Sequence, residues 1–566
     1  MEMNTPAVDH VDVLSFAFGR TINYDEDRPL YIDAKDPSRR LCALQLRRLV
    51  RTLIAGLKRH IQQGDCVLVH LGNGYLHPAL FFSIIGAGGV YLGASPDSPP
   101  NELINVLDLG DPKLIFTSSQ TIQAVLDVST SKGLYPEQVC LFEESAVASF
   151  LESSPGIPAG SAGHITMAHL LSHGEEDWIK LDEGSQAKTT PAAMYCTSGT
   201  SGLPKAAVLT HHAIISQHLN IHYEVPFDVN RLVVIPMYHR FGALWHTFPI
   251  RHGEPAYIMP KFELGQFLKA VRSYQITETH IVPAMVHLLN QTSQPVTELL
   301  SSLRMVGVGG APIDAASLQK FQTLLHSQAT AAQTWGMTET GPVFVGKYGE
   351  LHDKASIGKV IGNNEARLLD DQGVVIHTDG CSGELCVRGS GLLLHYKGRD
   401  DGIDEEGWFR TGDVAYRQDE YYYLLGRIKE IIKVQGQAIP NPPGIPRLTT
   451  HSYQVAPAEI EAVLLTHPGI DDAAVLGVQS SDKGAEVPRA FVVKSASGTN
   501  LAADDVYQFA QSRLAGYKAL DGGVVFVTEI PRTVSGKILR TKLAQMNAQR
   551  DKFVQILSRR VIKVTS

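Results

Sequence analysis

Between about residues 40 and 430 of this 566-residue chain, helix-like segments such as 41–62 alternate with short β-rich runs at 66–71, 113–117, 232–235 and 280–282. A helix inserted between two strands returns the chain to the same end of the sheet, so the strands pair in parallel and the helices cover both faces. The expected fold class is therefore α/β, with a large N-terminal domain of doubly wound subdomains. Beyond residue 351 the runs shorten to strands at 365–369, 383–387 and 421–425, which predicts a small β-rich subdomain. From about 430 to 546 the pattern reads as a small α+β unit, with helices at 457–465 and 502–515 and strands at 472–478 and 490–494. A chain this long outgrows a single continuous core, and the boundary is placed between domains 1–428 and 429–566.

Composition narrows the function classes. The stretch 79–94 is the most apolar, but Gly86, Gly88, Gly89 and Gly93 break it, and it falls short of the ~20 residues a bilayer needs. It predicts a buried helix running into a strand. The formal net charge of −8, without long basic runs, gives no footprint for nucleic acid or an acidic membrane surface. Six cysteines, at 42, 66, 140, 196, 381 and 386, suit free thiols in a reducing compartment, and Cys381 with Cys386 has no second pair nearby for zinc. The N-terminus shows no basic region followed by an apolar core, and the terminal Val-Thr-Ser is not the peroxisomal Ser-Lys-Leu, so a cytoplasmic location is expected.

The string YCTSGTSGLPK at 195–205 carries the chemistry. Gly199 and Gly202 let backbone N–H groups turn inward, Thr197, Ser198, Thr200 and Ser201 add hydroxyl donors, and Lys205 adds a point charge for a β- or γ-phosphate. The spacing is not that of the ordinary P-loop. It resembles the phosphate loop of the adenylate-forming superfamily, which includes acyl-CoA synthetases, 4-coumarate:CoA ligases, luciferases and adenylation domains. Further strings follow in that family's order: PMYH at 236–239, GGAP at 309–312, QTWGMTE at 333–339, GELCVRG at 383–389, GWFRTGD at 407–413, GRIKEIIK at 426–433 and PRTVSGK at 531–537. The resemblance spans nearly the whole chain.

It implies an ATP-dependent acid:CoA ligase. A carboxylate attacks the α-phosphate of ATP, pyrophosphate leaves, and the acyl-adenylate passes its acyl group to the thiol of CoA. By resemblance, Thr197 to Lys205 wrap the β- and γ-phosphates, Gly310, Ala311 and Pro312 with Thr334, Trp335 and Gly336 border the adenine, and Thr338 meets the α-phosphate side. Glu339 holds Mg²⁺, Asp413 accepts the ribose hydroxyls with Arg427 nearby, and Lys537 bridges acyl carboxylate and α-phosphate. Lys433, Gly436 and Gln454 match residues that meet the adenylate or the CoA arm. His239, Arg240, Phe241, Gly309, Thr334, Pro342 and Val343 match the acyl pocket, with His239 at its entrance. Trp335 stands where tyrosine is commoner, and Thr334 where many relatives carry glycine. Each residue alone has a plain reading as well: Lys537 as a solvated charge, Asp413 as a surface carboxylate, His239 and Trp335 as core packing. The flanking strings are what promote them.

The resemblance also implies a hinge near Lys429, about which a mobile C-terminal lid swings between half-reactions. The chain departs from the family at 437–452, where Pro440, Pro442, Pro443 and Pro446 interrupt a strand-turn-helix. Two readings fit: a tolerated surface loop, since lengthening a loop costs little, or a retained intron that impairs the protein. Expected partners are a small carboxylic acid, of medium acyl or aryl type, with ATP and CoA. A separate carrier protein as acceptor and a luciferase-like oxygenase are the alternatives. A fused carrier is not expected, because only about thirty residues follow Lys537.

Overall fold

The computed structural model describes residues 11–19, 23–152, 164–181, 185–197, 205–350, 353–399, 402–435, 452–480, 486–532 and 537–550. Two eight-stranded sheets dominate. One runs in the order Gly341–Val345, Thr330–Met337, Met305–Gly309, Glu278–Ile281, Arg231–Val233, Ala256–Ile258, Pro29–Asp33, Arg40–Cys42. It is parallel except at its two antiparallel edges. The other runs His395–Tyr396, Lys205–Thr210, Pro191–Thr197, Val90–Ala94, Cys66–His70, Leu114–Thr117, Val139–Leu141, Ile165–Thr166. Here only the hairpin of Pro191–Thr197 with Lys205–Thr210, and the strand beside it, are antiparallel. The α/β expectation holds, and its cause is visible in strands such as CVLVH and LIFT. They are apolar along their length because both of their faces are buried.

The apolar stretch near residue 80 forms the helix His77–Gly86 and then the strand Val90–Ala94, every residue of both being buried. No helix among the described residues is long and apolar enough to cross a membrane. The helix expected over 41–62 occupies Ala43–Leu57. Its start is set by Cys42, whose Sγ accepts from the Gln45 N–H while the Gln45 side chain accepts from the Cys42 N–H, so a thiol takes the usual hydroxyl's place in a capping box. All six cysteines are free.

A five-stranded sheet orders Val375–Ile376, Glu365–Leu369, Ser382–Arg388, Phe409–Gln418 and Tyr421–Arg427. The C-terminal region packs helices Pro457–Leu465 and Ala503–Gln511 on a three-stranded sheet of Ile470–Gln479, Glu486–Lys494 and Val524–Phe526. The helix Ala503–Gln511 is shorter than the expected 502–515, because the Arg513 N–H bonds three residues back to the Ala510 carbonyl and the chain then enters a 3-10 turn at Gly516–Lys518. Arg540 anchors the final helical segment through Glu430, Glu461 and the Val475 carbonyl at 2.9, 2.8 and 2.7 Å. By density of contacts the chain divides into two units, 1–309 with 316–367 and 386–410, and 310–315 with 368–385 and 411–566. The proline-rich stretch from 437 to 451 lies outside the described residues. The strands Ile432–Gln435 and Ser452–Val455 pair antiparallel with Gln435 opposite Ser452.

The first unit buries a set of histidines that sets its acid stability. Burial pushes His77, His211 and His280 down to about 4, and holds His218 and His246 well below the ordinary imidazole value. A base whose folded pKa lies below its unfolded value of about 6.5 takes its proton more readily once unfolded, so stability is full above that pH and is lost as pH falls from there toward 4. The thermal midpoint, followed by fluorimetry, is expected to fall steadily from pH 7 to pH 5. A flat midpoint across that interval would contradict the burial of neutral imidazoles.

Candidate active site

The phosphate-loop string springs from a hairpin. Thr197 ends one strand, Lys205 begins the next, and the two are paired across the ladder. Ser198, Gly199, Thr200, Ser201 and Gly202 lie outside the described residues, but the closure of their two flanks holds the loop ends together. The Lys205 ammonium sits 4.4 Å from the centre of the Tyr396 ring. The Tyr396 hydroxyl donates at 2.8 Å to Oε1 of Glu339, a carboxylate 5 % exposed. The Leu393 N–H donates to the Glu339 backbone carbonyl, which fixes the turn at 338–340. Lys205, Tyr396, Glu339 and its neighbour Thr338 are thus brought together in one unit, cation and carboxylate held on opposite parts of one tyrosine.

Other expected residues fall in the second unit. Asp413 and Arg427 face each other across paired strands, with Arg427 Nε 2.8 Å from Asp413 Oδ1. The Asp413 N–H donates to the Thr411 hydroxyl, and that hydroxyl donates to the Leu385 carbonyl. Lys433 and Gln454 stand opposite each other in register, and Gly436 lies outside the described residues. Lys537 precedes a short bridge in which Ile538 pairs with Arg532 and the Leu539 N–H donates to the Pro531 carbonyl. Arg532 is clamped in turn by Asp472 at 2.7 and 3.2 Å. The turn Gly310, Ala311, Pro312 leaves its strand through a left-handed Gly310, φ +84°.

A narrow cleft opens in the first unit beside the strands Glu278–Ile281, Met305–Gly309 and Thr330–Met337. Of the acyl-pocket residues expected from sequence, Phe241, Thr334 and Pro342 line it, while His239, Arg240, Gly309 and Val343 do not. Arg240 is turned inward. Its Nε donates to Gln217 Oε1 at 2.7 Å and its guanidinium faces the Tyr195 ring, away from the cleft lining. His239 Nδ1 accepts from the Phe241 N–H and caps the helical turn that carries Phe241. Trp335 packs edge-on against Phe344 at 5.4 Å and is largely buried, and this contact accounts for its bulk.

Sequence reasoning missed the polar end of the cleft. Arg231 and Glu278 open neighbouring strands and stand in register. The guanidinium binds Glu254 at 2.9 Å and Glu278 at 3.2 Å and stacks on Trp245 and Phe248. Burial alone would raise the Glu278 carboxyl, but Arg231 and His280 outweigh it and hold it below the usual carboxylate range. His280 lies against Trp245 at 4.5 Å and edge-on to Phe241 at 6.1 Å. Its position requires a glycine opposite, because a Cβ on Gly307 would stand 2.3 Å from the imidazole. The available signal was a charged residue opening each of two apolar β runs, one Arg and one Glu.

Comparison with known proteins finds relatives along nearly the whole chain. Residues 18–397 match the family model described as AMP-binding enzyme, and residues 459–537 match AMP-binding enzyme C-terminal domain. The chain is 49 % identical to nicotinic acid-CoA ligase olcI of Penicillium canescens, over 97 % of this chain and 100 % of that protein. It is 47 % identical to nicotinic acid-CoA ligase pyr1 of Aspergillus fumigatus, over 96 % and 98 %. With acyl-CoA ligase ppsA of Aspergillus oryzae the identity is 44 %, over 99 % and 100 %. Among solved structures, ATP-bound MatB from Rhodopseudomonas palustris superposes with a TM-score of 0.79 at 21 % identity, covering 94 % of this chain and 98 % of that one. The anthranilate CoA ligase AuaEII in complex with anthranoyl-AMP gives 0.79 at 19 %, covering 96 % and 98 %. These last two likenesses bear on the fold.

Proposed function

Because the chain belongs to the AMP-binding enzyme family and is an ATP-dependent acid:CoA ligase, we propose that the acid it activates is a small pyridine-type aromatic carboxylic acid, nicotinic acid being the first candidate. The observation that carries this reading is the near-full-length similarity to two nicotinic acid-CoA ligases. The cleft agrees with it. Its lining includes the aromatic rings of Phe241, Trp245 and Phe248, which suit a flat ring, and the charged Arg231, Glu254 and Glu278, which do not suit a fatty chain.

In the proposed mechanism the protein's work is alignment and charge neutralisation. The loop from Thr197 to Lys205 holds the β- and γ-phosphates. Thr338 meets the α-phosphate side, Asp413 takes the ribose hydroxyls with Arg427 holding its carboxylate in place, and Lys537 offsets the charge that develops between acid and α-phosphate. Gly310 to Pro312 border the adenine, and Lys433, Gly436 and Gln454 serve the thiol-transfer half-reaction. Residues 1–428 and 429–566 form the catalytic body and the lid in this reading. Glu339 fits Mg²⁺: a buried carboxylate whose orientation is set by the Tyr396 hydroxyl would offer it one hard oxygen ligand. The ion, when bound, neutralises phosphate charge. A cytoplasmic setting is supported by the six free cysteines.

The test is CoA-dependent product formation, followed by mass, over a panel of pyridine, benzoic and fatty acids with ATP and magnesium. Pyridine-acyl-CoA as the main product supports the reading, and products confined to fatty acids sink it. Removing one hydroxyl checks the role of Tyr396. Tyr396→Phe leaves Glu339 Oε1 without its donor, and the magnesium concentration for half-maximal rate is expected to rise by roughly 10-fold or more. An unchanged requirement would mean that the tyrosine only packs.

A further inference from the structure

Arg240 is 3 % exposed, and no carboxylate pairs with it among the described residues. Its guanidinium lies 5.6 Å from the centre of the Tyr195 ring, and its Nε and Nη2 both donate to one oxygen, Oε1 of Gln217. An enclosed cation faced only by neutral groups is costly, so the arrangement asks for a reason beyond packing. The amide supplies one. A guanidinium has no acceptor, so it fixes which end of the Gln217 amide turns towards it, and the NH2 group must point the other way. There Nε2 donates to the Gly391 carbonyl at 2.6 Å. The fit is close: a Cβ on Gly391 would stand 2.9 Å from Gln217 Cγ, and Gly341, left-handed at φ +62°, leaves no room for one beside the same amide.

Both glycines lead to Glu339. Gly341 follows it by two residues, and the segment that begins at Gly391 reaches back to it twice. The Leu393 N–H donates to the Glu339 carbonyl at 2.7 Å, and the Tyr396 hydroxyl donates to its Oε1 at 2.8 Å. We propose that Gln217, its amide oriented by the buried Arg240, is a positioning residue for Glu339: it pins the segment 391–396, and that segment sets both the backbone and the carboxylate of the residue that meets magnesium. The inference rests on the assignment of Glu339 given above.

The experiment compares the full chain with Gln217→Glu and Arg240→Met. A glutamate still satisfies the guanidinium, and more strongly, but offers no N–H to Gly391. A pair whose only task is to settle a buried cation is unharmed by that change, whereas a positioning role is lost. Methionine keeps the bulk of Arg240 and frees the amide to turn over. Amide hydrogen exchange without metal or nucleotide, followed by mass on peptides covering 391–397, is expected to quicken by about 5- to 10-fold in both variants, while the helix His211–Ile221 that carries Gln217 keeps its protection. The magnesium concentration for half-maximal adenylate formation is expected to rise by about 10-fold. Unchanged exchange at 391–397 in Gln217→Glu overturns the proposal, and so does exchange that quickens equally along the helix. A change in Gln217→Glu with none in Arg240→Met overturns the part given to Arg240. If Tyr396→Phe raises the magnesium requirement and Gln217→Glu does not, the tie stops short of Glu339 and the proposal fails. If neither moves it, the assignment of Glu339 to magnesium has failed first and the role of Gln217 falls with it.

Discussion

Lys537→Ala is expected to lower the rate of acyl-adenylate formation by roughly 100- to 1,000-fold while leaving ATP binding largely intact. A cation that meets charge only as it develops contributes to the transition state and not to the ground state, so its loss appears in kcat. The local structure supports a placed lysine: the bridge of Arg532 with Ile538, and the clamp of Arg532 by Asp472, hold the segment on which Lys537 stands. The measurement is pyrophosphate release under single-turnover conditions. Transfer of CoA onto a synthetic acyl-adenylate supplies the control, since that half-reaction no longer needs the lysine and is expected to survive. Equal loss in both half-reactions would mean that the substitution disturbs the fold of the C-terminal region.

The second large effect is on stability. Arg231→Met removes the buried cation from between Glu254 and Glu278 and is expected to destabilise the first unit by about 2–4 kcal/mol at pH 7.5, because two part-buried carboxylates are left without their cation. The pH dependence identifies the cause. In the wild type the Glu278 carboxyl is held below its usual value, so its contribution is present above about pH 4.5 and is lost as pH falls through its folded pKa. In the variant, burial acts on Glu278 with only His280 and His222 left to oppose it and raises the carboxyl, so protonation relieves the penalty and the gap between the two proteins narrows as pH falls from 7.5 to 5. Urea denaturation at both pH values measures this. A gap that stays constant would point to lost packing of the guanidinium on Trp245 and Phe248 instead. Adding Glu278→Gln to Arg231→Met is expected to restore part of the loss.

Periodicity and local chemistry were legible along the chain. The apolar strands of the parallel sheets, such as Cys66–His70 and Leu114–Thr117, declare themselves because burial on both faces is written into consecutive residues. The ordered glycine, hydroxyl and lysine strings likewise identify an adenylate-forming ligase, since phosphate chemistry draws on residues close together in sequence. Side-chain direction was not legible. Arg240 turns to Gln217, Arg231 rather than Arg240 reaches the cleft, and Thr334 keeps an unpaired hydroxyl beside Phe241. Each depends on partners tens of residues away, brought near by the fold. The sequence by itself determined the fold class and the reaction, because both rest on local pattern; the tertiary structure alone decided which polar atoms line the cleft, because that depends on which strands lie side by side.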